Sequence, residues 1–130
     1  MSKPTVPVRI ASAVFPRDKP KFEDIEVLVD AHTDNLKLPK STINRLKLQQ
    51  IGMTRRLVKG QERTIPLYGP IWLQVGKRTA YVDAEITRGL PTIGSDSMSA
   101  LDVQLTRHAS TFCLVPKHKN ERHVFALGVR

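Results

Sequence analysis

Cysteine is almost missing from this chain: one residue in 130, Cys113. A lone thiol cannot staple its own chain, so a disulfide scaffold is excluded and a reducing compartment is expected. In STFCLVP its neighbours are apolar and none is activating, so Cys113 reads as a small buried hydrophobe. Aromatic residues are scarce as well, at 5%, which argues against a platform that stacks successive unpaired bases. No apolar run approaches the roughly 18 residues that a membrane helix needs. The opening MSKPTVPVRIASAV carries a lysine but lacks the sustained apolar segment of a secretory signal. These absences lead to the expectation of a cytoplasmic protein with no membrane contact.

What is present describes an ordinary globular chain. Hydrophobic residues make up 40% and charged residues 25%, enough for a packed core without metals or cross-links. With no internal repeat, low-complexity tract or composition break, residues 1–130 read as one domain. Lysine and arginine number 21 against 12 acidic residues, a net charge of +9. That excess keeps a basic β-barrel that binds nucleic acid as an alternative function. The charge is dispersed, however: its densest stretches, MTRRLVKGQER and PKHKNERH, are not long basic blocks.

Short β-type segments dominate the chain. VPVRIASAVF breaks at the proline-containing PRDKPK. FEDIEVLVD then places Phe22, Ile25, Val27 and Val29 as strand residues, with Leu28 on the other face, which predicts a strand inside a sheet. PKSTINRLKL predicts a helix with Pro39 in its first turn, Ser41 or Thr42 as cap, and Ile43, Leu46 and Leu48 inward. QQIGMTRRLVKGQERTIPL reads as two arms around a glycine-tipped turn. YGPIWLQVGKRTAYVDAEI reads as a second hairpin about GKR, with Ala80, Val82, Ala84 and Ile86 on one face. After Thr92-Ile93-Gly94, Ser95 or Asp96 is expected to cap a short helix that buries Met98 and Leu101. VQLTRHASTFCLVP predicts one strand and RHVFALGVR another. The expectation is an all-β domain of about eight short strands and one or two short helices, closed or sandwiched as a barrel.

The chemistry turns on VLVDAHTDNLKLP. Taken alone, Asp30 has two readings: an aspartate that turns the chain after a strand, or half of a carboxylate pair, since one carboxylate needs a partner in the complementary protonation state. The order of motifs bears on the choice. An aspartate ends an apolar strand; LKLP and a short helix follow; a glycine-tipped basic hairpin and a strand pair come next; and TIG precedes the last helix. Over about residues 5–115 this order resembles the retropepsin-like aspartic proteases, single-domain enzymes of retroviruses and bacterial genomes. The resemblance implies a closed acid-protease barrel with one flap hairpin per subunit, and a homodimer in which Asp30 from each copy forms the catalytic dyad. It implies a flap tip at Val58, Lys59, Gly60 and Gln61 over an extended peptide or protein substrate, a structural motif at Thr92, Ile93 and Gly94, and neither cofactor nor metal. Residues 116–130 would be a tail or a strand of the dimer.

One departure shapes the functional expectation. Where the family has Asp-Thr/Ser-Gly, this chain has Asp30-Ala31-His32. Ala31 lacks the hydroxyl that braces the two loops across the dimer, and His32 puts an imidazole where glycine lets backbone approach the carboxylates. The expectation is a catalytically impaired peptidase that retains peptide binding, with an active endopeptidase as the alternative. Three roles for His32 stay open: a side chain in a degenerate loop, a hydrogen-bond partner that fixes Asp30 as an anion, and, with Asp30 across a dimer, a metal ligand. Asp83 reads as a solvent-facing strand residue, Asp96 as a helix cap and Trp72 as core or interface. His108, His118 and His123 have no ligand spacing, and Ser95, Ser97 and Ser99 have no histidine placed for a triad.

Overall fold

The computed structural model describes residues 4–14, 21–108, 111–116, 125–126 and 128–129. Its strands are β1 (Pro4–Ser12), β2 (Glu23–Val29), β3 (Leu36–Pro39), β4 (Gln49–Val58), β5 (Gln61–Val75), β6 (Arg78–Thr87), β7 (Thr92–Ile93), β8 (Val103–His108), β9 (Thr111–Pro116), β10 (Phe125–Ala126) and β11 (Gly128–Val129). Two short helices join them, α1 (Lys40–Arg45) and α2 (Ser95–Ala100). The main sheet runs β11-β1-β2-β7-β3-β6-β5-β4, and β1 also pairs with β5. That extra pairing closes β1, β2, β7, β3, β6 and β5 into a ring, leaving β4 and β11 as flanking strands. A second sheet runs β10-β9-β8. Among the described residues no helix is long and apolar enough to cross a membrane.

Side-chain alternation explains the ring. Val6, Val8 and Ile10 of β1, Val27 and Val29 of β2, Leu36 and Leu38 of β3, and Ile71, Leu73 and Val75 of β5 all point inward and are buried. The period of two sends one face of each strand into a shared core. Helix α1 adds Ile43 and α2 adds Met98, while Leu46, Leu48 and Leu101 follow the helix ends into the same cluster. As expected, β2 is interior, between β1 and β7.

Several local expectations need correction. The described residues hold eleven strands rather than about eight. The two predicted hairpins share an arm: β5 runs unbroken through Gly69-Pro70, whose peptide bond is cis, and its pairing with β6 shifts register between Tyr68 and Ile71. The second turn is Gly76-Lys77, since Arg78 already pairs with Val75. On β6 the predicted face holds for Ala80, Val82 and Ala84, but Ile86 emerges exposed as its cover runs out at the strand end. Pro39 is the extended N-cap of α1 rather than a residue of its first turn, and Gly94 fills the same role for α2. Ser41, Thr42, Ser95 and Asp96 therefore lie within helices and provide no side-chain cap. VQLTRHASTFCLVP is two antiparallel strands, β8 and β9, and the C-terminal segment divides between β10 on β9 and β11 on β1. Most of the predicted turn at 16–21 and the side chain of Cys113 lie outside what is described.

Candidate functional site

Asp30 follows β2 directly and opens a two-residue turn at Ala31 and His32. Its carboxylate Oδ1 accepts a hydrogen bond from the His32 amide at 3.0 Å. Its carbonyl accepts from the Thr33 amide at 3.2 Å and from the Thr33 hydroxyl at 3.0 Å. This is the aspartate turn that its residue type favours, closed by the side chain over its own backbone. The carboxylate is thereby oriented by a backbone donor. Asp30 is half-buried, while Ala31 and His32 are exposed.

The loop is held from a distance by β7. This two-residue strand lies between β2 and β3, parallel to β2 (Leu28 opposite Thr92, Val29 opposite Ile93) and antiparallel to β3 (Lys37 opposite Thr92). The Asp30 amide donates to the Ile93 carbonyl at 3.1 Å. Beyond Gly94, the Ser95 amide donates to Thr33 at 2.8 Å and the Asp96 amide to Asp34 at 3.0 Å. Gly94 is where the two segments cross. A Cβ there would lie 2.6 Å from both the Thr33 and Asp34 carbonyl oxygens and 2.8 Å from Thr33 Oγ1. Its φ of −109° is open to any residue, so the requirement for glycine is lack of space rather than backbone conformation. The structure thus brings Thr92, Ile93 and Gly94 against the Asp30 loop.

The glycine-tipped hairpin is β4–β5. Val58 pairs with Gln61 around Lys59 and Gly60, whose φ values of 52° and 78° are both positive. Two left-handed residues make the tight turn that matches the twist of paired strands. Lys59, Gly60 and Gln61 are exposed and Val58 is half-buried. Along β4 the two faces differ: Met53, Arg55 and Leu57 are exposed, whereas Thr54, Arg56 and Val58 are half-buried.

Sequence reading missed a part-buried charge network between this hairpin and the loop. Glu85 on β6 is buried, and both its oxygens accept from the Arg56 guanidinium, one at 2.6 Å. Asn35 Nδ2 donates to Glu85 Oε2 at 2.9 Å, and Arg56 also lies 3.9 Å from Asp34 Oδ2. Burial raises the Glu85 pKa, but the hydrogen bonds from Arg56 and Asn35, with the charges of Arg56 and Lys37, outweigh it and hold the carboxyl below its ordinary value. The hydrogen bond to Glu85 raises Arg56 in turn, and Asp34 and Asp96 add to that. The available signal was a carboxylate within YVDAEI, but Glu85 shares strand parity with exposed Tyr81 and so reads as outward-facing.

The remaining candidates lie apart from this network. Asp83 is half-buried rather than solvent-facing, with Oδ1 3.2 Å from where a Cβ on Gly69 would stand. Asp96 is exposed in the first turn of α2. Trp72 packs edge-on against Phe22, ring centroids 5.4 Å apart. Buried Ser97 has a hydroxyl without a hydrogen-bond partner, and Ser95 and Ser99 stand on the same helix. His108 ends β8, while His118 and His123 fall outside the described residues. A surface depression of about 490 Å³ is lined by residues including Pro7, Arg9, Asp24 and Gln74 and by none from the Asp30 loop. Asp30 is the better candidate, because carboxylate orientation and loop bracing converge on it, whereas in the depression Arg9 is taken up by an exposed ion pair with Asp24. Compared with protein-family models and with curated proteins, the chain matches none.

Proposed function

We propose that this chain is a retropepsin-like subunit that acts as a homodimer and binds extended peptide between its β4–β5 flap and the Asp30 loop, with impaired proteolytic chemistry. The observation that carries this reading is the threading of β7 between β2 and β3, with Gly94 packed on the loop that Asp30 opens. That arrangement fixes a half-buried carboxylate at the end of an interior strand.

In the dimer, the two Asp30 carboxylates would meet on the twofold axis. Like charges about 3 Å apart cannot both ionise readily, so the pair shares one proton. The ionised member would take a proton from water as it attacks the scissile carbonyl, and the protonated member would donate to the carbonyl oxygen. Impairment follows from the two neighbours. Ala31 cannot supply a bracing hydroxyl across the axis, and the His32 imidazole takes up space beside the dyad. An active endopeptidase is the second reading, and one bond favours it: the donor orienting Asp30 is the residue 32 amide, which histidine retains.

The test is cleavage of a peptide library from about pH 3 to 7, a range suited to a dyad that shares a proton. Sedimentation of the unmodified chain reads the dimer alongside. We expect no cleavage by this chain and a gain in Ala31→Thr/His32→Gly. Cleavage here that vanishes in Asp30→Asn would establish the active enzyme instead. Silence in every variant of a proven dimer would overturn the catalytic reading.

A further inference from the structure

Glu85 is a buried carboxylate that the proposed chemistry does not use. It sits on β6, next to β3, and is the meeting point of two segments far apart in sequence. From one side comes Arg56, two residues before the β4 end of the flap, with a paired set of donors to both oxygens. From the other comes Asn35, next to Asp34 in the loop that Asp30 opens. A two-pronged guanidinium–carboxylate contact is directional as well as strong. A buried pair of this kind adds little net stability over an apolar replacement, yet losing one partner strands a charge. Its larger effect is therefore on which arrangement the chain adopts.

We infer that Arg56, Glu85 and Asn35 form a latch that couples flap closure to the order of the Asp30 loop, with Glu85 as its positioning residue. The inference deepens the reading above, on which it rests for the identification of β4–β5 as the cover of the cleft. Apart from the latch and its own ladder to β5, the end of the flap buries little: Arg55, Leu57, Lys59, Gly60 and Gln61 are exposed and Val58 is half-buried. The ion pair between Arg55 and Glu62 is an exposed one at 3.5 Å, of the kind that contributes little. Glu85 holds flap and loop through one carboxylate, so releasing either changes the partners of the other. Asp34 and Asp96 lie close enough to favour the charged Arg56, and Lys37 favours the charged Glu85.

The experiment is amide hydrogen exchange on the full chain without peptide, comparing the parent with Glu85→Gln, Arg56→Met and Arg56→Lys. Glu85→Gln keeps the shape and removes the charge. We expect exchange at 54–62 and at 33–35 to rise together, tenfold or more, in Glu85→Gln and Arg56→Met, with the amides of the second sheet at β8 and β9 unchanged. Arg56→Lys keeps one charged donor and should fall between these variants and the parent. A rise confined to the flap, or no rise, overturns the coupling. A rise of the same size in β8 and β9 also overturns it, because the pair would then act on the whole fold rather than on the flap and the loop. Exchange is read without substrate, so this outcome is independent of whether the chain binds or cleaves peptide.

Discussion

Two glycines mark the two sides of the proposed cleft, and they are needed for opposite reasons. At Gly94 the backbone angle is ordinary but there is no room, because two carbonyl oxygens stand 2.6 Å from the place a Cβ would take. At Gly60 there is open space but the backbone is left-handed, with φ of +78°. The first glycine belongs to a crossing held by main-chain hydrogen bonds between segments about sixty residues apart in sequence. The second belongs to a turn whose constraints are local. One side of the site is thus built into the fold, while the other is a hairpin that the proposed latch ties to the loop through side-chain charges.

Alanine at each of the two glycines separates the two requirements. Gly94→Ala should be the most damaging change considered, costing about 3 kcal/mol or more, since backbone carbonyls cannot swing aside as a flexible side chain can. Urea unfolding measures it. A loss below about 1 kcal/mol would mean that the crossing is not as tight as described. Gly60→Ala should cost about 1 kcal/mol, for the left-handed angle alone, with any change in amide exchange confined to the flap.

Between these extremes lies the latch. Arg56→Met leaves Glu85 buried without its charged partner and should cost about 3 kcal/mol, near the low end for a buried pair because Arg56 keeps some exposure. Arg56→Met/Glu85→Leu should recover most of that loss, since no buried charge is then left behind. The pH dependence has a definite sign. Glu85 in the folded chain lies below its ordinary value of 4.5. Its contribution is therefore complete well above that pH and is lost as pH falls through the lower folded value. The groups facing it are Arg56 on the flap, Asn35 in the loop and Lys37 on β3, while Asp34 and Asp96 act on Arg56. The urea midpoint of the parent should fall from pH 6 to pH 3 more steeply than that of Glu85→Gln. Equal slopes would remove Glu85 from the acid response.

How much of this was legible in the sequence depends on how locally each feature is encoded. The interior position of β2 showed in Leu28 beside Val27 and Val29, and both turns showed in their glycines. The inward residues of the helices, Ile43 and Met98 among them, followed from spacing. The caps were misread because Pro39 and Gly94, the last residues before each helix, already satisfy the entry geometry, leaving Ser41 and Ser95 inside. The two-residue β7 has no periodicity to detect, and its place between β2 and β3 exists only through pairing across more than fifty residues. Glu85 was missed for a related reason: its partner Arg56 is 29 positions away, and alternation alone assigns it outward. Local propensity marks elements, whereas the contacts that make a site from them are long-range.

The smallest expected effect has the opposite sign and sharpens the contrast from the flap side. Lys59 is a non-glycine residue at φ 52°, in the first central position of a turn that favours asparagine there. Its side chain is exposed, so Lys59→Asn removes no packing. It exchanges a residue that tolerates the left-handed region poorly for one that enters it readily. The expected result is stabilisation by a few tenths of a kcal/mol, about 0.5 at most, read as a small rise in the urea midpoint and slower exchange at 57–62. Exchange at 33–35 should not change, because the latch is three residues away at Arg56 and is left intact. If stiffening the tip also slowed exchange in the Asp30 loop, coupling would pass through the hairpin backbone itself, and charge at Glu85 would not be what joins the two sides.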